Sequence, residues 1–254
     1  MQTGLRRFWL AAALIMLLAQ PMRAGEKLRV ATCDDYPPLS DVNAEGELVG
    51  FDVDIARALC HALDVACELV VVPWEGILDG LAAGKYDAVI ASMGITPERE
   101  QIVSFTDMYY RSNSTFVGKA GWQTPISPEG LPGKSLAAVR DTLQAEYLQQ
   151  HYGSVATLKL AETTAQAFDL LVKGEVELVL ESDLTIFQFL NSDAGREFDF
   201  VSGPVPGGPS GAAYIAVRKD DVKLRADLNQ AIQAIRLDGV YGKINRKYFP
   251  FSVY

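Results

Sequence analysis

In the stretch DAVIASMGITPERE, Asp87 to Glu100, an arginine sits where it needs a reason. Ala88 to Ala91 reads as a buried strand, small residues carry the chain through Gly94, and Thr96-Pro97 has the types of a helix cap and first helical position. Arg99 then falls in the first turn, at the positive end of the helix dipole. A cation there is unfavourable unless an anion is shared between it and the free backbone N–H groups. The chemistry in prospect is anion binding. The competing reading is a solvated surface arginine paired with Glu100 or Asp107. Catalytic chemistry is poorly supplied: the two histidines, His61 on a helix and His151 near a helix end, suit surface positions. No Ser-His-Asp order, phosphate loop or H-E-x-x-H motif occurs.

The elements that must position Arg99 alternate in type. Leu28 to Thr32 is a short apolar strand, GFDVDIARALCHAL a helix, CELVVV a strand, GILDGLAAGK a helix ending at glycine, and YDAVIAS a third strand. This order predicts a parallel, doubly wound sheet. The pattern restarts with GKSLAAVRDT as strand and turn, LQAEYLQQHY as helix, TLKLA as strand, TTAQAFDLLVKG as helix and VELVLES as strand. After SGPVPGGPSGAA come a strand, YIAVRK, and one long amphipathic helix expected from Val222 to about Phe249. The fold class expected is therefore α/β, with two doubly wound lobes and a ligand cleft between them. Ligands of open parallel sheets bind beyond the carboxyl ends of the strands, which sets Ser92, Gly94 and Arg99 of the first unit opposite Thr142 of the second.

At 254 residues, with 49% hydrophobic and 22% charged side chains, the chain is long enough for two cores. Residues 1–24 carry Arg6 and Arg7, an apolar run from Phe8 to Ala19 and a small residue at Ala24. The run is well short of the roughly 20 residues of a membrane span, so a cleaved secretory signal is expected rather than a retained anchor. Its removal takes away three arginines and no acid, moving the net charge from −9 to about −12. Such a body repels phosphate backbones and anionic lipid, and no basic patch with interleaved aromatics points to nucleic acid. Cys60 and Cys67 flank a helix-to-strand turn that an oxidising compartment would close with a disulfide; the alternative is two buried free thiols. Cys33 is left as a buried or site-lining residue, and three cysteines without a histidine cluster give no metal site.

Several of these pieces together resemble the polar amino acid family of periplasmic solute-binding proteins that feed ABC importers. They are LRVAT followed by YPPLS, GELVGFDVDIARALC with its C-x6-C spacing, KYDAVIASMGITPEREQIVSFTDMYY, and the ending LRADLNQAIQAIRLDGVYGKINRKYF. The pattern is most similar to histidine- and lysine/arginine/ornithine-binding members and covers almost the whole chain after the signal. The resemblance implies that Arg99 clamps the α-carboxylate of a free amino acid, helped by Ser92, the Gly94 backbone and Thr142. A planar guanidinium takes a carboxylate in two parallel bonds, each contributing roughly 1.5–3 kcal/mol. Tyr36 and Trp74 match positions flanking the ligand's side chain; for Trp74 a core plug is the competing reading. Asp52 and Asp54 read as helix-start and structural acids.

The sequence also departs from the family. The aspartate that accepts the ligand's ammonium in such proteins falls on Ser182, between Glu181 and Asp183, and a first-lobe acid falls on Cys33. Of the neighbouring acids, Asp183 is expected to replace the missing one. Arg140-Asp141-Thr142 stands where Gly-Thr is usual, so Arg140 is a further candidate, for a second acidic group on the ligand. The expected protein is a periplasmic, monomeric, non-enzymatic binding protein without cofactor, whose partners are a small amino acid or carboxylate ligand and an inner-membrane permease. Its lobes are expected at 25–112 with 213–254, and at 113–212. The alternatives are a cyclohexadienyl dehydratase-like enzyme using Glu181 or Asp183, and a ligand-sensing module.

Overall fold

The computed structural model describes residues 27–205 and 210–254, so the expected signal segment lies outside the described residues. The first lobe starts with β1 (Lys27–Thr32), a small three-stranded sheet of β2 (Asp35–Tyr36), β3 (Ser40–Val42) and β4 (Leu48–Val49), and α1 (Phe51–Ala62). It continues with β5 (Ala66–Val71), α2 (Ile77–Ala82), β6 (Ala88–Met93) and α3 (Pro97–Ile102). The long strand β7 (Val103–Lys119) then crosses to the second lobe: β8 (Ser135–Val139), α4 (Leu143–Tyr152), β9 (Thr157–Ala161), α5 (Thr164–Val172), β10 (Leu178–Ser182), α6 (Asp183–Leu190) and β11 (Phe198–Phe200). β12 (Ser210–Arg218) returns the chain, and α7 (Val222–Leu237) and α8 (Val240–Tyr248) complete it.

The strands follow the order β5-β1-β6-β12-β7-β10-β8-β9, with β11 also on β7. Within each lobe the α/β units pair in parallel, β1 with β5 and β6, β8 with β9 and β10. The sheet is nevertheless mixed rather than parallel throughout. β7 and β12 run antiparallel to their neighbours because they carry the chain between lobes instead of belonging to a helical crossover. β7 pairs with β12 from Val103 to Asn113 and with β10 from Ser114 to Gly118, so one strand serves both sheets.

Apolar residues cover both faces of each sheet, as a doubly wound arrangement requires. In the first lobe Leu28, Val30, Ala88 and Ile90 face α1 and α7, while Ala31, Val89 and Ala91 face the other way, towards Ile77 and Leu81. Phe51 is the hub of the first core, with Tyr110, Tyr241, Tyr248 and Phe249 rings 5.5–6.1 Å away. The Cys60–Cys67 disulfide ties α1 to β5, so the open choice between bridge and thiols resolves as the bridge. Cys33 is free and buried.

The single C-terminal helix expected from Val222 to about Phe249 is two helices. The break falls at Asp238-Gly239, where Gly239 takes a left-handed φ of 83° and Asp238 Oδ1 accepts from Val240 N. The apolar periodicity continues across the break, which hides it from a periodicity reading. Among the described residues no helix is long and apolar enough to cross a membrane.

Candidate functional site

The carboxyl ends of β1, β6, β8 and β10 meet across the gap between lobes, and a cavity lies there. It is lined from the first lobe by Cys33, Asp35, Tyr36, Ser40, Asp52, Trp74, Ser92, Gly94, Arg99 and Tyr110, and from the second by Val139, Thr142, Leu143, Gln144, Glu162, Thr164, Glu181 and Ser182. Seven of the nine sequence-predicted binding residues are thus brought together: Tyr36, Trp74, Ser92, Gly94, Arg99, Thr142 and Ser182. Asp183 and Arg140 are not among the lining residues.

Arg99 is placed by its helix start. Thr96 caps α3, its hydroxyl accepting from Arg99 N at 3.1 Å, and Pro97 takes the first helical position. The guanidinium is half-buried, lies 5.2 Å from the centre of the Trp74 ring, and donates to the Gly94 carbonyl (2.9 Å) and across the cleft to that of Asp141 (3.1 Å). Burial lowers its pKa, opposed by Glu146, Asp141 and Glu98. Neither Glu100 nor Asp107 pairs with it, so the surface-arginine alternative fails among the described contacts. A guanidinium carries five N–H donors, and these two bonds leave donors for an anion. Trp74 is no core plug: it is half-buried at the cavity, and its Nε1 donates to the same Asp141 carbonyl at 3.1 Å.

Ser92 takes a left-handed φ of 55°, donates from Oγ to Asp52 Oδ2 (2.7 Å), and its N–H meets Tyr109 Oη at 3.1 Å. Tyr109 Oη donates to the other Asp52 oxygen at 2.9 Å. Asp52 is fully buried and its pKa is pushed up to about 7 by desolvation, against these hydrogen bonds. Its bonds are those of a structural acid, as the helix-start position predicts, yet it also forms part of the cavity wall. Asp54 faces outward to Arg57, Lys247 and Tyr248. Thr142 caps α4, accepting from Ala145 N and donating to the Val139 carbonyl, which fixes the second lobe's rim.

At the end of β10 the structure departs from expectation. Ser182 caps α6, its Oγ accepting from Leu184 N at 3.3 Å. Asp183, expected in the cleft, instead turns towards β7, where Oδ2 accepts from Asn113 Nδ2 at 3.1 Å. As the first residue of α6 it follows the helix rather than the strand. Of the two acids flanking Ser182, the one that lines the cavity is Glu181, 3% exposed, whose Oε1 accepts from Tyr36 Oη of the other lobe at 2.6 Å. Desolvation pushes its pKa up to about 7, against the Tyr36 bond. The signal for it was an acid near the end of an otherwise apolar strand, VELVLES. Arg140 pairs with Glu162 at 2.8 Å and lines a neighbouring outer pocket with Asp34, Asp35, Trp74 and Glu75. Cys33 sits in the wall as a neutral thiol, its pKa raised to about 12 by burial and by Asp35, Asp52 and Asp34. No cluster among the described residues suits a metal ion.

Two α/β lobes joined by crossing strands, with a half-buried cation and several acids lining the gap from both sides, define a ligand-binding protein of the periplasmic type. Residues 28–251 match the bacterial extracellular solute-binding proteins, family 3, and the chain belongs to that family. It is 34% identical to an L-arginine-binding protein of Pseudomonas aeruginosa, over 96% of each chain. It is 31% identical to a lysine/arginine/ornithine-binding periplasmic protein of Escherichia coli, over 90% of each. Among solved structures, an ancestral arginine-binding protein bound to arginine superposes with a TM-score of 0.82 at 29% identity, covering 89% of this chain and 100% of that one.

Proposed function

We propose that this protein is the periplasmic substrate-binding component of an ABC importer and that it closes over a basic amino acid. The observation that carries the reading is the make-up of the cavity wall: among the described lining residues one cation, Arg99, stands with four acids, Asp35, Asp52, Glu162 and Glu181, of which only Glu162 has a basic partner, Arg140. A ligand that matches it carries one carboxylate and more than one positive group, and the arginine- and lysine/arginine/ornithine-binding relatives support that class. Arg99 takes the carboxylate, with Ser92, the Gly94 backbone and Thr142 around it. Tyr36 and Trp74 flank the side chain.

In this reading residues 1–24 are a cleaved export signal, and the lobes divide at 25–112 with 213–254, and 113–212. The protein acts as a monomer, without cofactor or catalysis, and delivers its ligand to an inner-membrane permease. A thermal-shift screen of L-arginine, L-lysine, L-ornithine and L-histidine against L-glutamate and L-leucine tests it, since a ligand at 100 times its Kd adds about 2.7 kcal/mol to stability. Calorimetry on Arg99→Ala is expected to show affinity for the best ligand reduced by about 100-fold or more, the loss of two charged hydrogen bonds. Affinity within about threefold of wild type, under 1 kcal/mol, overturns the carboxylate clamp.

One observation favours a second reading. Glu181, buried in the cavity with a pKa near 7, has the properties of a general acid in a dehydratase. Incubation with prephenate and arogenate decides it: turnover supports the enzyme, and unchanged substrate leaves the binding protein.

A further inference from the structure

Ser182 stands where the resemblance implies the acid for the ligand's ammonium, and its hydroxyl is committed to capping α6. The remaining acids of the cavity wall fall into two sets. Asp35 and Glu162 also line the outer pocket, together with Trp74, and so mark the outward end of the cavity. Asp52 and Glu181 belong to the inner cavity alone. Of these two, Asp52 has each oxygen engaged by a hydroxyl, from Ser92 and from Tyr109. Glu181 has one side-chain donor, Tyr36, and no basic side chain pairs with it among the described residues. With the Tyr36 hydroxyl and the Ser182 backbone N–H as its donors, a carboxylate this buried still has spare accepting capacity and lacks a counter-charge.

We propose that Glu181 receives the α-ammonium of the ligand, taking the place of the acid absent at Ser182, while Asp35 faces the distal cation of its side chain. This rests on the amino-acid-binding reading above. Tyr36 positions the carboxylate, its hydroxyl, from the opposite lobe, donating to Oε1. The same bond links ammonium recognition to closure, because the Tyr36 hydroxyl reaches Glu181 only when the lobes are together. The proton affinity of Glu181, raised by its burial, agrees with a site completed by a ligand cation, which would release that proton on binding.

The test is calorimetry with L-arginine and with 5-guanidinopentanoate, which keeps the carboxylate and guanidinium but lacks the α-amino group, on wild type, Glu181→Gln and Asp183→Asn. Wild type is expected to prefer L-arginine by about 30-fold or more, the usual scale for one partner of a buried charge pair. Glu181→Gln is expected to lose that preference while still binding the analogue, which also reports that the variant is folded. Asp183→Asn is expected to keep it. If Glu181→Gln binds neither compound, Glu181→Asp decides: a retained preference supports the assignment and a lost one overturns it. A preference unchanged in Glu181→Gln, or abolished in Asp183→Asn, overturns the assignment and leaves the amino-acid reading standing. Failure of wild type to bind any basic amino acid removes that reading, and this one with it.

Discussion

At Asp52 and Glu181 two carboxyl groups are held near neutrality by burial, each with its pKa raised to about 7. In the unfolded chain both titrate near pH 4. A group whose folded pKa lies above its unfolded value stabilises the fold fully below the lower value, and that contribution is lost as pH rises through the higher one. The empty protein is therefore expected to lose stability between about pH 4 and 7, read as a falling Tm from pH 5 to pH 8 in a low-salt buffer series. Asp35 and Asp183, also shifted upward by burial, act in the same direction. Asp52→Asn should flatten the fall, because the amide cannot ionise. A Tm that rises across this window would show that neither acid is protonated in the folded protein.

Two glycines at helix starts separate backbone strain from steric exclusion. Gly50, before α1, has φ 133°, and a Cβ there would lie 2.2 Å from the Leu39 carbonyl oxygen. That closeness is imposed by the helix start itself: Phe51 N and Asp52 N donate to the Pro38 and Leu39 carbonyls at 3.0 and 2.8 Å, replacing a side-chain cap. Gly239, between α7 and α8, has φ 83° and open space where a Cβ would go. Gly239→Ala should cost about 1 kcal/mol, the conformational penalty alone. Gly50→Ala should cost about 3 kcal/mol or more, because backbone must also move. Urea denaturation of the two variants checks the difference, and equal losses would contradict it. Gly50 also fixes α1 so that Asp52 lands under Ser92, which makes it part of the site's foundation.

At the scale of the whole molecule the lobes meet over the cavity through few polar links. Tyr36 reaches Glu181, while Trp74 Nε1 and Arg99 share the Asp141 carbonyl. A ligand touching both walls favours this arrangement over an open one, and it can do so only by the affinity difference between them. Trp74→Phe keeps the flat ring and removes one interlobe hydrogen bond, about 1 kcal/mol, so ligand affinity should fall about fivefold. Small-angle scattering should show a smaller radius of gyration with saturating ligand in wild type. An unchanged Kd for Trp74→Phe would mean that the indole bond does not contribute to closure.

The alternation of apolar strands and amphipathic helices was sufficient to predict two α/β lobes, since periodicity follows from which face of each element must be buried. Local chemistry was legible in the same way: Thr96-Pro97 caps α3, Cys60 and Cys67 flank one turn, and Arg99 falls in the first turn of its helix. What the sequence left open turned on direction and on distant partners. At VLESD the question was which acid enters the cleft. The start of α6 turns Asp183 to Asn113 on β7, and Tyr36, 145 positions away, holds Glu181 in the cavity. Asp52 read as a helix-start acid, and only the approach of Ser92 and Tyr109 shows what it supports. Side-chain direction at the end of a strand depends on the next element's geometry, and a buried charge is decided by neighbours brought from elsewhere in the chain. Both are properties of the folded molecule.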